Sequence, residues 1–336
     1  MAIPDFHGVP VLVTGGAGFI GSHLVDALVR RGARVRVLDD LSTGARRNLA
    51  HPEGTVELLE GDVRDADTCR RACRGVRYVF HQAALGSVPR SMARPLDTLA
   101  VNAGGTGNVF VAAREEGAER VVWASSSSVY GDSERLPKRE GEEGEPLSPY
   151  AASKAMGEVL AAACRHAYGQ AIVGLRYFNV YGPRQDPQGP YAAVIPRFFA
   201  AALAGEPAVI HGDGEQSRDF TFVDDAVAAN LLAAGAPERA WGRAYNVAAG
   251  ARTTVIELAR AVGEAVGGAR PPRHEPPRPG DVRHSLAALE RVGSDLGYQP
   301  ATALADGLER TARWYARRQH DGAADDGAGE PGGPPR

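Results

Sequence analysis

The chain has 336 residues, of which 43% are hydrophobic and 24% charged. At roughly 100–200 residues per domain this is two domains or one large one, and the composition excludes a fibrous, collagenous or wholly disordered chain. With 38 Lys and Arg against 41 Asp and Glu, the net charge is −3. No global field therefore draws the chain to nucleic acid or an anionic membrane, and a negative ligand must be met by local design.

Cys69, Cys73 and Cys164 form no even disulfide set. Cys69 and Cys73 stand four apart in an expected helix with no His at metal spacing. They read as reduced, partly buried thiols without a metal or redox site, as in a reducing cytoplasm. The N-terminus shows no basic region followed by an apolar stretch, so no signal peptide is expected. No run of about 18 apolar residues predicts a membrane span.

In chain order, Val9–Thr14 is apolar, β-branched and ended by glycines, which predicts a buried parallel strand. Phe19–Arg31 has helical spacing, with Leu24, Leu28 and Val29 apolar, and Gly32 closes it. Val35–Asp39, Val56–Leu59, Tyr78–His81 and Val121–Ala124 predict further strands with helical stretches between them. The alternation places the chain in the α/β class, with a Rossmann-type, doubly wound parallel sheet covered on both faces. After residue 178 the segments shorten and gain proline. Brief strands are expected at Val209–Gly212 and Phe220–Val223, and helices near Ala226–Ala234 and Thr254–Val266. This predicts a first domain over 1–178 and a smaller α/β lobe over 179–316, with some later segments returning to the first domain. Residues 317–336 have almost nothing apolar to bury and are expected to be a disordered tail.

Gly15, Gly18 and Gly21 lie between the first strand and the first helix with G-x-x-G-x-x-G spacing. Such glycines allow a tight turn, close backbone approach to a pyrophosphate and close helix packing, with the helix N-terminus facing the phosphates. Asp39 ends the next strand 18 residues after Gly21, where a carboxylate meets the adenosine ribose hydroxyls of a dinucleotide. Asp39 and Asp40 would repel a 2′-phosphate, which favours NAD over NADP, although Arg36, Arg46 and Arg47 lie near. Asp62, after the third strand, is placed to accept a hydrogen bond from the adenine amine. A turn or cap aspartate is the alternative.

Tyr150 and Lys154 form Tyr-x-x-x-Lys. On a helix this spacing puts both side chains on one face. A nearby ammonium favours phenolate, so a tyrosine that ordinarily ionises near 10 can serve as a base at neutral pH. Just upstream, Ser125 to Ser128 end an apolar strand, where parallel-sheet enzymes place ligand-facing groups.

Together these motifs resemble the extended short-chain dehydrogenase/reductase family, in its nucleotide-sugar epimerase branch. The matching pieces are Thr14 to Gly21, Gly61-Asp62-Val63, His81-Gln82-Ala83-Ala84, Ser126 to Gly131, Tyr150 to Lys154, Leu175 to Gly182, Arg218-Asp219-Phe220 and Gly280 to Arg283, in family order and covering about residues 9 to 315. The resemblance implies NAD as cofactor, held by Gly15, Gly18, Phe19, Ile20, Gly21, Asp39, Asp40, Thr43, Gly44, Asp62, Val63, Gln82, Ala83, Ala84, Asn102, Tyr150, Lys154 and Tyr177. It implies that Tyr150 takes the proton of the sugar 4-hydroxyl while NAD takes the C4 hydride. The keto sugar then turns over and is reduced on its other face. Lys154 would hold the nicotinamide ribose and lower the Tyr150 pKa, and Ser126 would bond the 4-oxygen.

Related dehydratases and UDP-glucuronate decarboxylases carry a carboxylate before the Val-Tyr-Gly. This chain has Ser126-Ser127-Ser128 there, which leaves 4-epimerisation. A UDP-sugar substrate is implied, with the diphosphate side held by Asn179, Arg218, Arg278 and Asp281, arginine being suited to it by bidentate bonding. Surface ion pairing is the alternative for the two arginines. Gln82 to Ser91, Gln185-Asp186-Pro187, Tyr191 to Pro196 and Asp281 to Ala287 are similar to bacterial UDP-N-acetylglucosamine 4-epimerases. In that subgroup positions matching Gly86, Ser87, Ser126, Asn179, Ala193 and Ser285 wall the sugar pocket, with Val194 adjacent. A small residue at Ser285 leaves room for a 2-acetamido group that a tyrosine would exclude.

UDP-glucuronate 4-epimerases are the rival. They carry Thr at the Asn179 position and Arg at the Asp186 position to pair the C6 carboxylate, though Arg184 could take that part. A catalytically silent NAD-binding regulator and a dehydrogenase that exchanges its cofactor are the readings from other classes. The resemblance also implies a homodimer through helices near Pro95–Glu116 and Tyr150–Ala167. Met156, Val159, Leu160, Ala163 and Ala167 form an apolar stripe that otherwise reads as internal core.

Overall fold

The computed structural model describes residues 2–187, 192–277 and 283–325. Six strands come first: β1 (Pro10–Thr14), β2 (Arg34–Asp39), β3 (Val56–Glu60), β4 (Tyr78–His81), β5 (Arg120–Ser126) and β6 (Ile172–Tyr177). Arg243–Val247 returns from the second half of the chain as the seventh strand of the same sheet. Its spatial order is Arg243–Val247, β6, β5, β4, β1, β2, β3, and every pairing is parallel. The winding reverses between β1 and β4, which opens a crevice beyond the carboxyl ends of the strands.

The helices between these strands are α1 (Phe19–Arg30), α2 (Ala66–Cys73), α3 (Val88–Ala93), α4 (Pro95–Leu99), α5 (Thr106–Glu115) and α6 (Pro149–Tyr168). A π-helical turn, Ala100–Gly105, joins α4 to α5. Successive strand residues face opposite ways, so each strand feeds two cores. Val11 and Val13 of β1 pack with Leu24 and Leu28 of α1 on one face. Leu12 packs with Cys69 and Cys73 of α2, Phe110 of α5 and Trp123 on the other. All three cysteines are free and buried. Burial pushes the Cys69 and Cys73 thiols up to about 12. The Ser148 hydroxyl caps α6 by accepting from Ala151 N–H at 3.1 Å, with Pro149 at its first position and Gly169 ending it in the left-handed region.

β6 and Arg243–Val247 lie outside the strands expected from apolar runs. Arg176 interrupts β6, and its burial is compensated by two carboxylates: Glu158 of α6 pairs with both Nε (2.9 Å) and Nη2 (2.6 Å), and Glu143 pairs with Nη1. A charged residue thus masks a central strand.

The rest of the chain forms α7 (Val194–Leu203), α8 (Val223–Ala234), α9 (Val255–Ala265), α10 (Glu290–Leu296) and α11 (Leu304–Asp325). α8 packs on the sheet, sharing the core of α1. α7, α9 and α11 enclose a separate core of Phe198, Phe199, Leu258, Val262 and Leu308. Short strand pairs stitch this region together. Val180–Tyr181 runs parallel to Thr221–Phe222, Ser217–Arg218 antiparallel to Thr253–Thr254, and Val209–His211 parallel to Arg273–Glu275. The expected tail from Arg317 begins inside a helix, because α11 continues to Asp325. Leu308, Ala312 and Tyr315 seat it in the core, and once seated a helix gains one bond per residue added. Residues 326–336 lie outside the described residues. Among the described residues no helix is long and apolar enough to cross a membrane.

Candidate active site

The carboxyl ends of the sheet open into a cavity of about 820 Å³. The β1–α1 turn brings Gly15, Gly18, Phe19, Ile20 and Gly21 to its wall; the ends of β2 and β3 bring Asp39, Asp40, Thr43, Asp62 and Val63. Gln82, Ala83, Ala84, Gly86 and Ser87 follow β4, Ser126 ends β5, Tyr177 ends β6, and Tyr150 and Lys154 come from α6. Asn179, Ala193, Arg218 and Ser285 close it from the other half of the chain. Val194 lines an adjoining cavity of about 440 Å³. Two expected cofactor residues stand behind the wall. Gly44 packs on Ala17, so close that a Cβ would lie 2.8 Å from its carbonyl carbon. Asn102 is fully buried and spans Leu85 N–H (2.8 Å) and the Ser153 hydroxyl (3.2 Å). Arg278 and Asp281 lie outside the described residues.

The glycine turn requires glycine where backbones meet. Gly15 has φ +67° and a Cβ there would sit 2.6 Å from Ala83 N; a Cβ on Gly21 would sit 2.0 Å from Gly15 O. α1 has no side-chain cap at its N-terminus, so its first N–H groups and the positive end of its dipole are left for a ligand. Asp39 is buried beside this turn, with Oδ2 accepting from Ala17 N–H (2.9 Å) and Oδ1 from Leu41 N–H (2.8 Å). Burial raises its pKa and these bonds oppose the rise. The Asp62 carboxylate is engaged by Arg64, whose Nε lies at 2.8 Å and holds it below the usual carboxylate range. An open glycine cradle, an uncapped helix and a ribose-side carboxylate in one crevice fit a dinucleotide.

At the switch point His81 Nδ1 lies 2.7 Å from Thr14 Oγ1 and Nε2 3.0 Å from Thr106 Oγ1. Thr106 donates to Asn102 O (2.5 Å), so its oxygen accepts from His81, and the partners assign the ring proton to Nε2. Burial drives the His81 pKa down to about 3, so this ring is a neutral strut.

Lys154 Nζ donates to Ala124 O at 2.7 Å and lies 6.0 Å from the centre of the Tyr150 ring. Burial brings Lys154 down to about 8. Burial also raises the Tyr150 phenol, and a hydrogen bond with Ser126 opposes it. A neighbouring polar cluster includes Glu158, which carries no motif. Ser125 donates to Glu158 Oε1 at 2.5 Å, and Glu158, one turn beyond Lys154, also holds Arg176. Helical spacing from Lys154 was the one signal for Glu158 in the sequence.

Behind the opposite wall Asp219 is fully buried and accepts from Ala249 N–H (2.9 Å), Gly250 N–H (3.1 Å) and Ala287 N–H (3.2 Å). Burial lifts it to about 6 against these bonds. Its carbonyl accepts from Asn179 Nδ2 at 2.9 Å, and Asn179 itself has φ +37°. Ser285 N–H donates to Ser217 O at 3.0 Å. Arg184 turns away to α1, with Nη2 2.9 Å from Asp26, a carboxylate shared with His51 at 3.1 Å. Gln185 lines the cavity, while Arg184 and Asp186 are absent from its wall.

The profile of the NAD dependent epimerase/dehydratase family matches residues 11–248. The chain belongs to this family. A UDP-glucose 4-epimerase of Mycolicibacterium smegmatis is 42% identical over 311 residues, 91% of this chain and 98% of the relative. A solved UDP-N-acetylglucosamine 4-epimerase from Methanobrevibacter ruminantium, in complex with UDP-N-acetylmuramic acid, superposes with a TM-score of 0.88 at 39% identity, covering 93% of this chain and 99% of that one. The UDP-glucose 4-epimerase of Thermus thermophilus, solved with NAD, gives a TM-score of 0.83 at 39% identity, covering 92% and 99%. The chain is an enzyme of this family and NAD is its cofactor.

Proposed function

We propose that the protein interconverts UDP-N-acetylglucosamine and UDP-N-acetylgalactosamine, within the broader activity of NAD-dependent UDP-sugar 4-epimerisation. When bound, NAD supplies a reversible acceptor for the C4 hydride. Tyr150, hydrogen-bonded to Ser126, takes the 4-hydroxyl proton and returns it after the keto sugar has turned over. Burial alone leaves Tyr150 protonated, so the base must be made by charge: the Lys154 ammonium, present below about pH 8, stabilises the phenolate as it forms. Ser126 orients the 4-oxygen, and the glycine turn and Asp39 hold the dinucleotide.

The observation that carries the choice of sugar is the pairing of Arg184 with Asp26. A uronate needs a cation at C6, and Arg184, the arginine that the sequence offers for that part, is held on α1. Gly86, Ser87, Ala193 and Ser285 give the wall small side chains in its place, leaving room for a 2-acetamido group. A homodimer is proposed with it, because Leu96 of α4 and Met156 and Val159 of α6 are exposed, and light scattering tests that assembly.

The purified protein, with no NAD added, is incubated separately with UDP-GlcNAc, UDP-glucose and UDP-glucuronate, and the epimers are resolved by chromatography. Fastest conversion of UDP-GlcNAc is expected; turnover of UDP-glucuronate alone overturns the reading. Ser285→Tyr is expected to lower the ratio of UDP-GlcNAc to UDP-glucose turnover by at least about tenfold. An unchanged ratio would mean that Ser285 does not wall the 2-position.

A further inference from the structure

Lys138 lies in the connection between β5 and α6 and carries no recognised motif. It is 4% exposed and lines the same cavity as Ser285. A lysine is seldom so buried without an anionic partner. Among the described residues Lys138 forms no direct ion pair; the Glu134 carboxylate acts on it only at longer range, and its Nζ donates only to Ser133 O. An ammonium has three N–H donors, so two are left without a protein acceptor on a side chain of the cavity wall, an arrangement that favours a ligand oxygen.

The backbone places this ammonium beside the sugar wall. Lys138 N–H donates to Leu286 O (2.7 Å) and Lys138 O accepts from Ala288 N–H (2.9 Å), so Lys138 is bridged to the segment that follows Ser285. Asn246 Nδ2 holds the same carbonyl at 2.9 Å. None of these bonds uses the Lys138 side chain, so the position survives its replacement.

We infer that Lys138 is a specificity-determining residue that donates a hydrogen bond to the acyl oxygen of a 2-acetamido sugar. The inference rests on the 2-acetamido reading above. A 2-hydroxyl sugar lacks that carbonyl acceptor, so Lys138 favours the acylated substrate, while the small residues around Ser285 merely admit it. Charge-assisted bonds of this kind are the stronger ones, and losing one weakens binding by about 10–100-fold.

The test uses the holoenzyme and Lys138→Met, which keeps the apolar stem and removes the charge, with Lys138→Gln as a variant that restores one donor group. Dissociation constants for UDP-GlcNAc, UDP-glucose and UDP-glucuronate are measured by calorimetry, alongside turnover. The expected result is that the wild-type preference for UDP-GlcNAc over UDP-glucose falls about 10–100-fold in Lys138→Met and is partly regained in Lys138→Gln. A preference unchanged in Lys138→Met overturns the role of Lys138 even if wild type epimerises UDP-GlcNAc fastest. A selective loss of UDP-glucuronate binding also overturns it, by placing the ammonium at C6. If wild type fails to turn over UDP-GlcNAc, the substrate reading fails, and a selective loss of UDP-GlcNAc affinity in Lys138→Met still upholds the contact.

Discussion

On the sheet side of the cavity, polar groups are fixed by neighbours at the same sheet edge: Asp39 by Ala17 and Leu41, His81 by Thr14 and Thr106, Lys154 by Ala124. Toward the lobe they are fixed by single carboxylates, the buried Asp219 and the half-buried Asp26 of α1, that collect distant segments. Asp219 gathers residues 249, 250 and 287, and Asp26 draws in Arg184 across 158 positions of sequence. A doubly wound sheet makes its crevice from backbone geometry alone. Strand pairs of two or three residues cannot do that, so the substrate wall depends on side-chain hubs. The cofactor side therefore tolerates change at few backbone positions, and the substrate side at few side chains.

The largest effect is expected where the two sides meet over the reacting hydroxyl. Tyr150→Phe removes one oxygen and keeps the packing of α6. Turnover should fall by about 10³-fold, near 4 kcal/mol in the barrier, with bound NAD and thermal midpoint close to wild type. Near-normal turnover would remove Tyr150 from the role of base. On the cofactor side, Gly21→Ala forces a Cβ to within 2.0 Å of Gly15 O, where backbone would have to move. A loss of about 3 kcal/mol is expected, together with loss of NAD retained through purification. If Gly21→Ala keeps both NAD content and thermal midpoint, the backbone account of the cradle is wrong.

The same contrast explains what was legible in the sequence. Five of the seven sheet strands are apolar runs, and the glycine turn, Asp39 and the Tyr150–Lys154 pair declare themselves because local periodicity and spacing are what the parallel sheet is made from. β6 is not legible because its buried charge, Arg176, is neutralised by Glu158 and Glu143 from elsewhere in the chain. Asn102 is assigned to the cofactor by resemblance alone; that it ties Leu85 to Ser153 from behind the wall is a contact no local pattern signals. Lys138, Asp219 and Asp26 sit in loops or on polar helix turns, and nothing in their neighbours along the chain signals the residues they meet in space. The direction of Arg184, on which the choice of sugar turned, is likewise a long-range fact.

Asp219 sharpens the lobe side of the comparison through pH. Asp219→Asn sets an amide NH₂ against backbone N–H donors, and at pH 7.5 it should cost about 2 kcal/mol and raise KM for the UDP-sugar, since the segment after Ser285 hangs on this carboxylate through Ala287 N–H. Burial lifts the folded pKa of Asp219 to about 6, above the roughly 3.9 of an unfolded aspartate. The folded state thus takes up a proton between these values while the unfolded chain does not, and the Asp219 contribution to stability grows as pH falls through 6 and is lost as pH rises through it. Asparagine has no such proton. The stability gap between wild type and Asp219→Asn should therefore widen by about 1–2 kcal/mol from pH 7.5 to pH 5, read from urea unfolding of both proteins. A gap that narrows over that range would mean that the three N–H donors outweigh burial, and that Asp219 holds the substrate wall as a carboxylate throughout.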